Sequence, residues 1–277
     1  MQSGVLIILP VLNEAENIST LLSGIGRELS RTMHAICIID DGSIDGTVEK
    51  VLTTTPAASG RIHLIRRKKE RWGCQRGGAL KCGLDWGLQD PSLQIFVEID
   101  GDLSHRVEEL TQGVNLVASG QADVAIASKY LPGSRVIGRT GGRKFVSWIC
   151  SVATSLLLDR SVKDYSNGYR FYTRSAAELV AAHRVRYGSP IYLSEVLALW
   201  LREGLKVMEF PSTYIGRNEG LSKLRWIDLM KASLAVIEIA SRYHFRGFER
   251  LPTSNGNALP SLSSKPLAAR SMVRDDK

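Results

Sequence analysis

Five short apolar runs rich in β-branched residues alternate with helical patterns through the first half of the chain: VLIILPV (5–11), AICIID (35–40), IHLIRR (62–67), IFVEID (95–100) and DVAIASKY (123–130). Such alternation predicts an α/β fold with a mostly parallel sheet whose two faces are covered by helices. Between the first two runs, Ile18, Leu21, Leu22, Ile25 and Leu29 recur at three- and four-residue spacing, giving one apolar helical face to pack on the sheet. Further helical patterns cover 77–88 and 107–118.

The second half changes character. Residues 133–142 are rich in Gly and basic side chains and read as a loop, while the uncharged segment 145–158, with Trp148 and small polar residues, reads as a helix. KDYSNGYRFYTR (163–174) reads as a β-hairpin or irregular segment, with a helix following over 193–202. KVMEFPSTYI (206–215) alternates as a strand that Pro211 confines to an edge or a bulge. A last helix covers 226–245, and after Leu251 the chain is rich in Pro, Ser, Asn and Ala with no apolar period, as in unstructured tails. The expected organisation is one domain over 1–225, a C-terminal amphipathic helix over 226–250 and a tail over 251–277.

At 277 residues the chain can bury one large core, and 44% hydrophobic, 23% charged and 7% aromatic residues argue against a disordered, collagen-like or integral-membrane chain. The formal net charge of +8 favours anionic partners, whether nucleic acid, phosphate esters or a lipid surface. Cys37, Cys74, Cys82 and Cys150 form no C-x-x-C pair, which suggests neither a zinc site nor an oxidising compartment. The first apolar run is interrupted by Pro10 and followed by Asn13 and Glu14, the mark of a strand rather than a signal peptide. Segment 145–158 falls short of the about 20 apolar residues that span a bilayer. A reduced, cytoplasmic protein is expected.

The carboxylates carry the chemistry. IIDDGSIDGT places Asp40 and Asp41 at the C-terminal end of one strand, and FVEIDGD places Asp100 and Asp102 at the end of another. Ligands of open α/β sheets bind outside the carboxyl ends of the strands, so the two pairs are expected to converge on one crevice, with Asp41 facing solvent. Like charges brought together call for a counter-cation, and Mg²⁺ or Mn²⁺ bridging phosphate oxygens supplies one. A strand-end Asp followed by Gly is also a common turn or helix cap, which is the plainer reading of each pair taken singly.

Taken in order, ILPVLNEAENI (8–18), IIDDGSIDGT (38–47), GGALKCGL (77–84), IDGDLSH (99–105), ASKYLPGS (127–134), SNGYRFYTR (166–174) and RNEGLSKL (217–224) resemble the successive motifs of family 2 glycosyltransferases of the dolichol-phosphate mannose synthase type. The resemblance implies a GT-A-type fold with interfacial C-terminal helices. It implies transfer of mannose or another hexose, with inversion, from a nucleoside diphosphate sugar to a polyprenyl phosphate at the cytosolic membrane face. By position it implies that Pro10, Leu12, Glu14 and Asp41 hold the nucleoside, with Asp40 at the base or ribose. Asp100, Gly101 and Asp102 match the D-x-D segment, with Asp102 and Ser104 as metal ligands. Lys129, Arg217 and Lys223 match cations that face the diphosphate or the acceptor phosphate, and Arg143 and Ser147 match residues that face the acceptor. The implied cofactor is Mg²⁺ or Mn²⁺.

The sequence departs from that pattern where Leu12 replaces Tyr, Gly101 replaces Ala, Lys129 replaces Arg and Val107 replaces Pro. GDP-mannose is the expected donor, with a UDP-sugar as the alternative because Leu12 alters a contact near the base. Membrane access would come from amphipathic elements, the basic surface or a membrane-protein partner. RRKKER (66–71) has no RNA-binding aromatic pattern with it, so no nucleic-acid partner is expected. His105 reads as a second-layer residue behind the metal, or as a cap or packing residue. Glu195 would be the general base if the acceptor were a saccharide or other hydroxyl; a non-catalytic nucleotide-binding scaffold is the remaining alternative.

Overall fold

In a computed structural model of the chain, the described residues are 3–54, 61–67, 76–138, 141–188, 191–216 and 226–251, without the side chains of 142–146 and 226–230. The expected alternation forms β1 (Gly4–Val11), α1 (Ile18–Glu28), β2 (His34–Asp40), α2 (Thr47–Thr54), β3 (Arg61–Arg66), α3 (Arg76–Gly87), β4 (Leu93–Glu98), α4 (Leu110–Ala118) and β5 (Val124–Ser128). Then follow β6 (Arg135–Ile137), α5 (Gly141–Leu157), β7 (Arg170–Thr173), α6 (Arg174–Ala182), α7 (Tyr192–Arg202), β8 (Val207–Pro211), β9 (Thr213–Ile215) and α8 (Trp226–Ser241), which ends in a π-helical turn at Arg242–Arg246.

Seven strands form one sheet in the order β3-β2-β1-β4-β7-β5-β8, parallel except for β7. Alternate side chains of β1 feed two cores, because successive strand residues point to opposite faces. Leu6 and Ile8 pack with Leu80 and Leu84 of α3 and Trp200 of α7, while Val5, Ile7 and Leu9 pack with Leu21, Leu22 and Ile25 of α1 and Val114 of α4. From β1 the chain runs outward through β2 and β3 and then crosses to β4 on the other side, so the switch point lies at the C-terminal end of β1.

Several expectations need correction. The segment read as a hairpin contains β7, a central antiparallel strand between β4 and β5. Only four residues long and carrying Arg170, it gives no period-2 signal of its own, and the fully buried Arg170 lies opposite Glu98 of β4. Its guanidinium also donates to the carbonyls of Asn167, Leu193 and Tyr165. The run 206–215 is two strands in two sheets: β8 is the edge of the main sheet, as Pro211 suggested, and β9 pairs with β6, a strand inside the expected loop 133–142. The helix expected from 145 begins at Gly141. Helices α2 and α6 were not anticipated, being only eight and nine residues long. The expected tail after Leu251 lies outside the described residues.

Candidate active site

Register brings the two acidic pairs to the same edge of the sheet. Val11 at the end of β1 is in register with Asp40, and the Asp41 N–H donates to the Val11 carbonyl at 3.1 Å. On the other side, a β-carbon added to Gly101 would stand 3.0 Å from Val11 Cγ1, 3.3 Å from the Pro10 carbonyl and 3.4 Å from Glu14 Cγ. The 100–102 turn therefore lies against the end of β1. Gly101 is explained by the same contact, since the alanine common at this position would crowd Val11.

Asp40 shapes its own turn. It is fully buried and accepts the N–H groups of Gly42 and Ser43 at 3.2 Å, with Arg66 Nε 3.5 Å away. Asp41, expected to face solvent, is buried instead and forms an ion pair with Arg67 Nε at 2.9 Å. That ion pair lacks hydrogen-bond geometry, so both buried oxygens of Asp41 keep acceptor capacity. The first two cations of the basic run thus neutralise Asp40 and Asp41; residues 68–71 lie outside the described residues.

The loop after β1 is tied to the loop after β2. Asn13, in left-handed backbone geometry at φ 56°, donates its N–H to Ser43 Oγ and accepts the Ile44 N–H on its side-chain oxygen. Glu14 is buried; its N–H donates to Thr47 Oγ1 and its carboxylate accepts from Asn17. Pro10 and Leu12 are half-buried beside this loop. Asn13 was missed in the sequence, although Asn is a residue that adopts this backbone readily.

Asp100 and Asp102 differ in their surroundings. Asp100 is ion-paired with Arg76, and its second oxygen lies 3.3 Å from His105 Nε2. Burial, then the adjacent Arg76, push the His105 imidazole down to about 3, so it is neutral and donates from Nε2 to the carboxylate. Tyr169 and Tyr214 pack on its ring. Asp102 is half-exposed, and one of its oxygens accepts the Ser104 N–H at 3.0 Å. The Ser104 hydroxyl is buried and has no hydrogen-bond partner. Asp102 and Ser104 thus offer hard oxygen donors, one of them unsatisfied, a set that suits Mg²⁺ or Mn²⁺. Among the described residues no cluster of three His, Cys, Asp or Glu side chains could hold a metal ion.

Arg76 was missed because it stands one residue before the Gly-Gly-Ala motif. Its Nη2 donates to the Gly168 carbonyl at 3.1 Å and its Nε to Tyr192 Oη at 3.4 Å, while Tyr192 donates to the buried Glu98. Burial opposes the Arg76 charge, yet Tyr192, Glu98 and Asp102 hold its proton more tightly than usual. A signal was present in the sequence: a Glu inside the apolar run IFVEID must be buried, and a buried carboxylate needs partners.

Lys129 is held by a buried carboxylate. Its side chain is 7% exposed, and its ammonium bonds Asp164 at 3.1 Å and Ser166 at 2.8 Å. Asp164 is fully buried; burial works against its charge, but Lys129 and backbone N–H groups outweigh that and hold its carboxyl below the usual range. Ser147 on α5 shares a 2.7 Å hydrogen bond with the Tyr130 hydroxyl. Arg143 lies in the first turn of α5 with its side chain outside the described residues, as are Arg217 and Lys223. Glu195 is not placed as a base. It is buried, 2.7 Å from Arg242 Nη1, and accepts the N–H groups of Arg186 and Tyr187 at 3.0 Å.

The sequence model of Glycosyl transferase family 2 matches residues 6–180. The chain belongs to this family. As a family 2 glycosyltransferase it is 32% identical over 235 residues to a polyprenol monophosphomannose synthase of Mycolicibacterium smegmatis, covering 84% of this chain and 85% of the relative. It is 30% identical over 223 residues to an undecaprenyl-phosphate mannosyltransferase of Micrococcus luteus, covering 79% and 87%. Among solved structures, a glucosyl-3-phosphoglycerate synthase from Mycobacterium tuberculosis in complex with Mg²⁺ and UDP superposes with a TM-score of 0.62 at 17% identity, covering 87% of this chain and 80% of the other. The same enzyme with Mn²⁺, UDP and glucosyl-3-phosphoglycerate gives 0.58 at 18% identity over the same shares. These likenesses establish the GT-A architecture of the sheet, and the family establishes a glycosyltransferase.

Proposed function

We propose that this glycosyltransferase moves a sugar, mannose by analogy with its named relatives, from a nucleoside diphosphate sugar to a polyprenyl phosphate at the cytosolic surface of a membrane. The observation that carries the reading is the polarity of α5. Ser151 and Thr154 are buried, with Ser151 bonded to the Lys163 carbonyl, whereas Trp148, Ile149, Val152, Leu156 and Leu157 are exposed, Trp148 to 50% and Leu156 to 56%. The hydroxyls thus face the protein and the apolar side chains face outward, the reverse of a water-facing helix. Leu234 and Ile237 of α8, a helix in contact with α5, add to the exposed apolar surface. Such an area beside a basic protein suits an anionic lipid surface. No helix among the described residues is long and apolar enough to cross a membrane.

In this reading Asp41, Glu14, Pro10 and Leu12 receive the nucleoside, with Asp40 fixing the turn beneath it. Asp102 and Ser104 hold Mg²⁺ or Mn²⁺. When bound, the ion offsets the charge that builds on the departing diphosphate. Arg217 and Lys223 are assigned to that diphosphate from the sequence, and Lys129 supports the crevice wall through Asp164. An acceptor phosphate is mostly ionised near neutral pH, its second pKa being about 6, so attack needs no general base. Glu195, the base that a hydroxyl acceptor would call for, is committed to Arg242.

Two measurements test the membrane and acceptor parts. Flotation with phosphatidylglycerol vesicles should show binding that weakens as salt is raised, since surface charge is screened over about 8 Å at physiological ionic strength. Replacing Trp148 and Leu156 together by Glu removes two apolar anchors worth roughly 1.5–3 kcal/mol each. Binding should then fall by at least about a hundredfold; an unchanged bound fraction would remove α5 from the interface. For the acceptor, Arg143→Ala should slow transfer to polyprenyl phosphate by about 10- to 100-fold, the worth of a charged hydrogen bond, while donor binding stays intact. Equal loss of donor binding would move the acceptor site elsewhere.

A further inference from the structure

Arg76 is fixed rather than swinging. Three of its nitrogens have separate partners in the Asp100 carboxylate, the Gly168 carbonyl and the Tyr192 hydroxyl, and Tyr192 is in turn anchored on Glu98. Gly168 makes room for this, because a β-carbon there would overlap the guanidinium. The chain Glu98–Tyr192–Arg76–Asp100–His105 therefore runs from the core to the acidic turn without a break.

We propose that Arg76 is a resident counter-cation that withholds Asp100 from the divalent ion and makes ion binding depend on the donor diphosphate. This rests on the reading of Asp102 as the metal-binding carboxylate. Both oxygens of Asp100 already have protein donors, so an ion would have to share that carboxylate with the Arg76 guanidinium and the His105 ring. The single charge of Arg76 also halves the attraction that two carboxylates would exert on a free cation. Asp102 with a serine hydroxyl is then a sparse site for a hard cation, which prefers about six oxygen ligands. A nucleoside diphosphate brings both the missing oxygens and the missing negative charge, so ion and nucleotide enter together. Arg76 also lets the acidic turn keep its shape between turnovers, when no ion neutralises it.

The test is Mn²⁺ binding to the full chain, followed by electron paramagnetic resonance of the free ion, with Mn²⁺ alone and with Mn²⁺ plus GDP or UDP. The wild-type protein should take up Mn²⁺ alone at least about tenfold more weakly than in the presence of nucleotide. Arg76→Met should bind Mn²⁺ alone about tenfold or more tightly than wild type, because Asp100 is released and a unit positive charge is gone. Gly168→Ala, which displaces the guanidinium while keeping every charge, should move in the same direction, and Arg76→Lys should keep the wild-type dependence on nucleotide. A gain in ion affinity is not what misfolding produces, and Gly168→Ala decides if Arg76→Met does not fold. Wild type binding Mn²⁺ alone as tightly as with nucleotide, or no gain in either variant, overturns the role of Arg76. Absence of Mn²⁺ binding even with nucleotide overturns the metal site at Asp102 itself, and this inference with it.

Discussion

Asp102→Ala is expected to lower sugar transfer on the order of a thousandfold while leaving the melting temperature nearly unchanged. The rate effect follows because Asp102 is the proposed ion's carboxylate ligand, and Asp100 beside it is taken up by Arg76 and His105. Loss of one charge-stabilising partner of a departing group typically costs about 10²–10³-fold, and loss of a metal ion costs several kcal/mol of transition-state stabilisation. The fold should tolerate the change because Asp102 is half-exposed. The measurements are initial rates of sugar transfer, Mn²⁺-dependent nucleotide binding and thermal denaturation. Full activity of the variant in the presence of a chelator would falsify the metal assignment.

The largest stability effect is expected at Glu195, far from that chemistry. Glu195→Ala removes the nearer of two carboxylate partners of buried Arg242 and the acceptor of two backbone N–H groups. Breaking a buried ion pair from one side costs roughly 3–5 kcal/mol, and Glu238, 3.3 Å from Arg242 Nε, offsets only part of the charge left behind. For a chain of this size that lowers the melting temperature by on the order of 10 °C. Arg242 closes α8 onto α7, so the variant should also loosen the C-terminal helix, read as faster amide exchange there. Wild-type stability combined with lost transfer would overturn this role and restore Glu195 as a general base.

Much of the site was legible because it sits where strand periodicity breaks. Asp40, Asp41, Asp100 and Asp102 stand just after apolar runs, beside Gly42 or Gly101, and the topology of alternating units sends such ends to one edge. What sequence patterns missed were partners that are distant along the chain. Arg67 is 26 residues from Asp41, Arg76 is 24 from Asp100, and Asp164 is 35 from Lys129. No local periodicity encodes such pairs, although Glu98 inside the run IFVEID announced the need for the cation that Arg76 supplies.

The sequence by itself determined the parallel core of the sheet, the position of the acidic turns at its carboxyl edge and the family, because each rests on local period, turn chemistry or motif order. Tertiary structure alone decided which charges are spent on one another. It made Glu195 a structural anchor, turned Lys129 toward Asp164, buried Asp41 against Arg67 and set Arg76 on Asp100. It also inserted β7 between β4 and β5 and turned the apolar face of α5 outward. The physical reason is the same throughout: a charge or a helix face acquires its role only when distant segments remove water from one side of it, and that depends on packing rather than on neighbours in the chain.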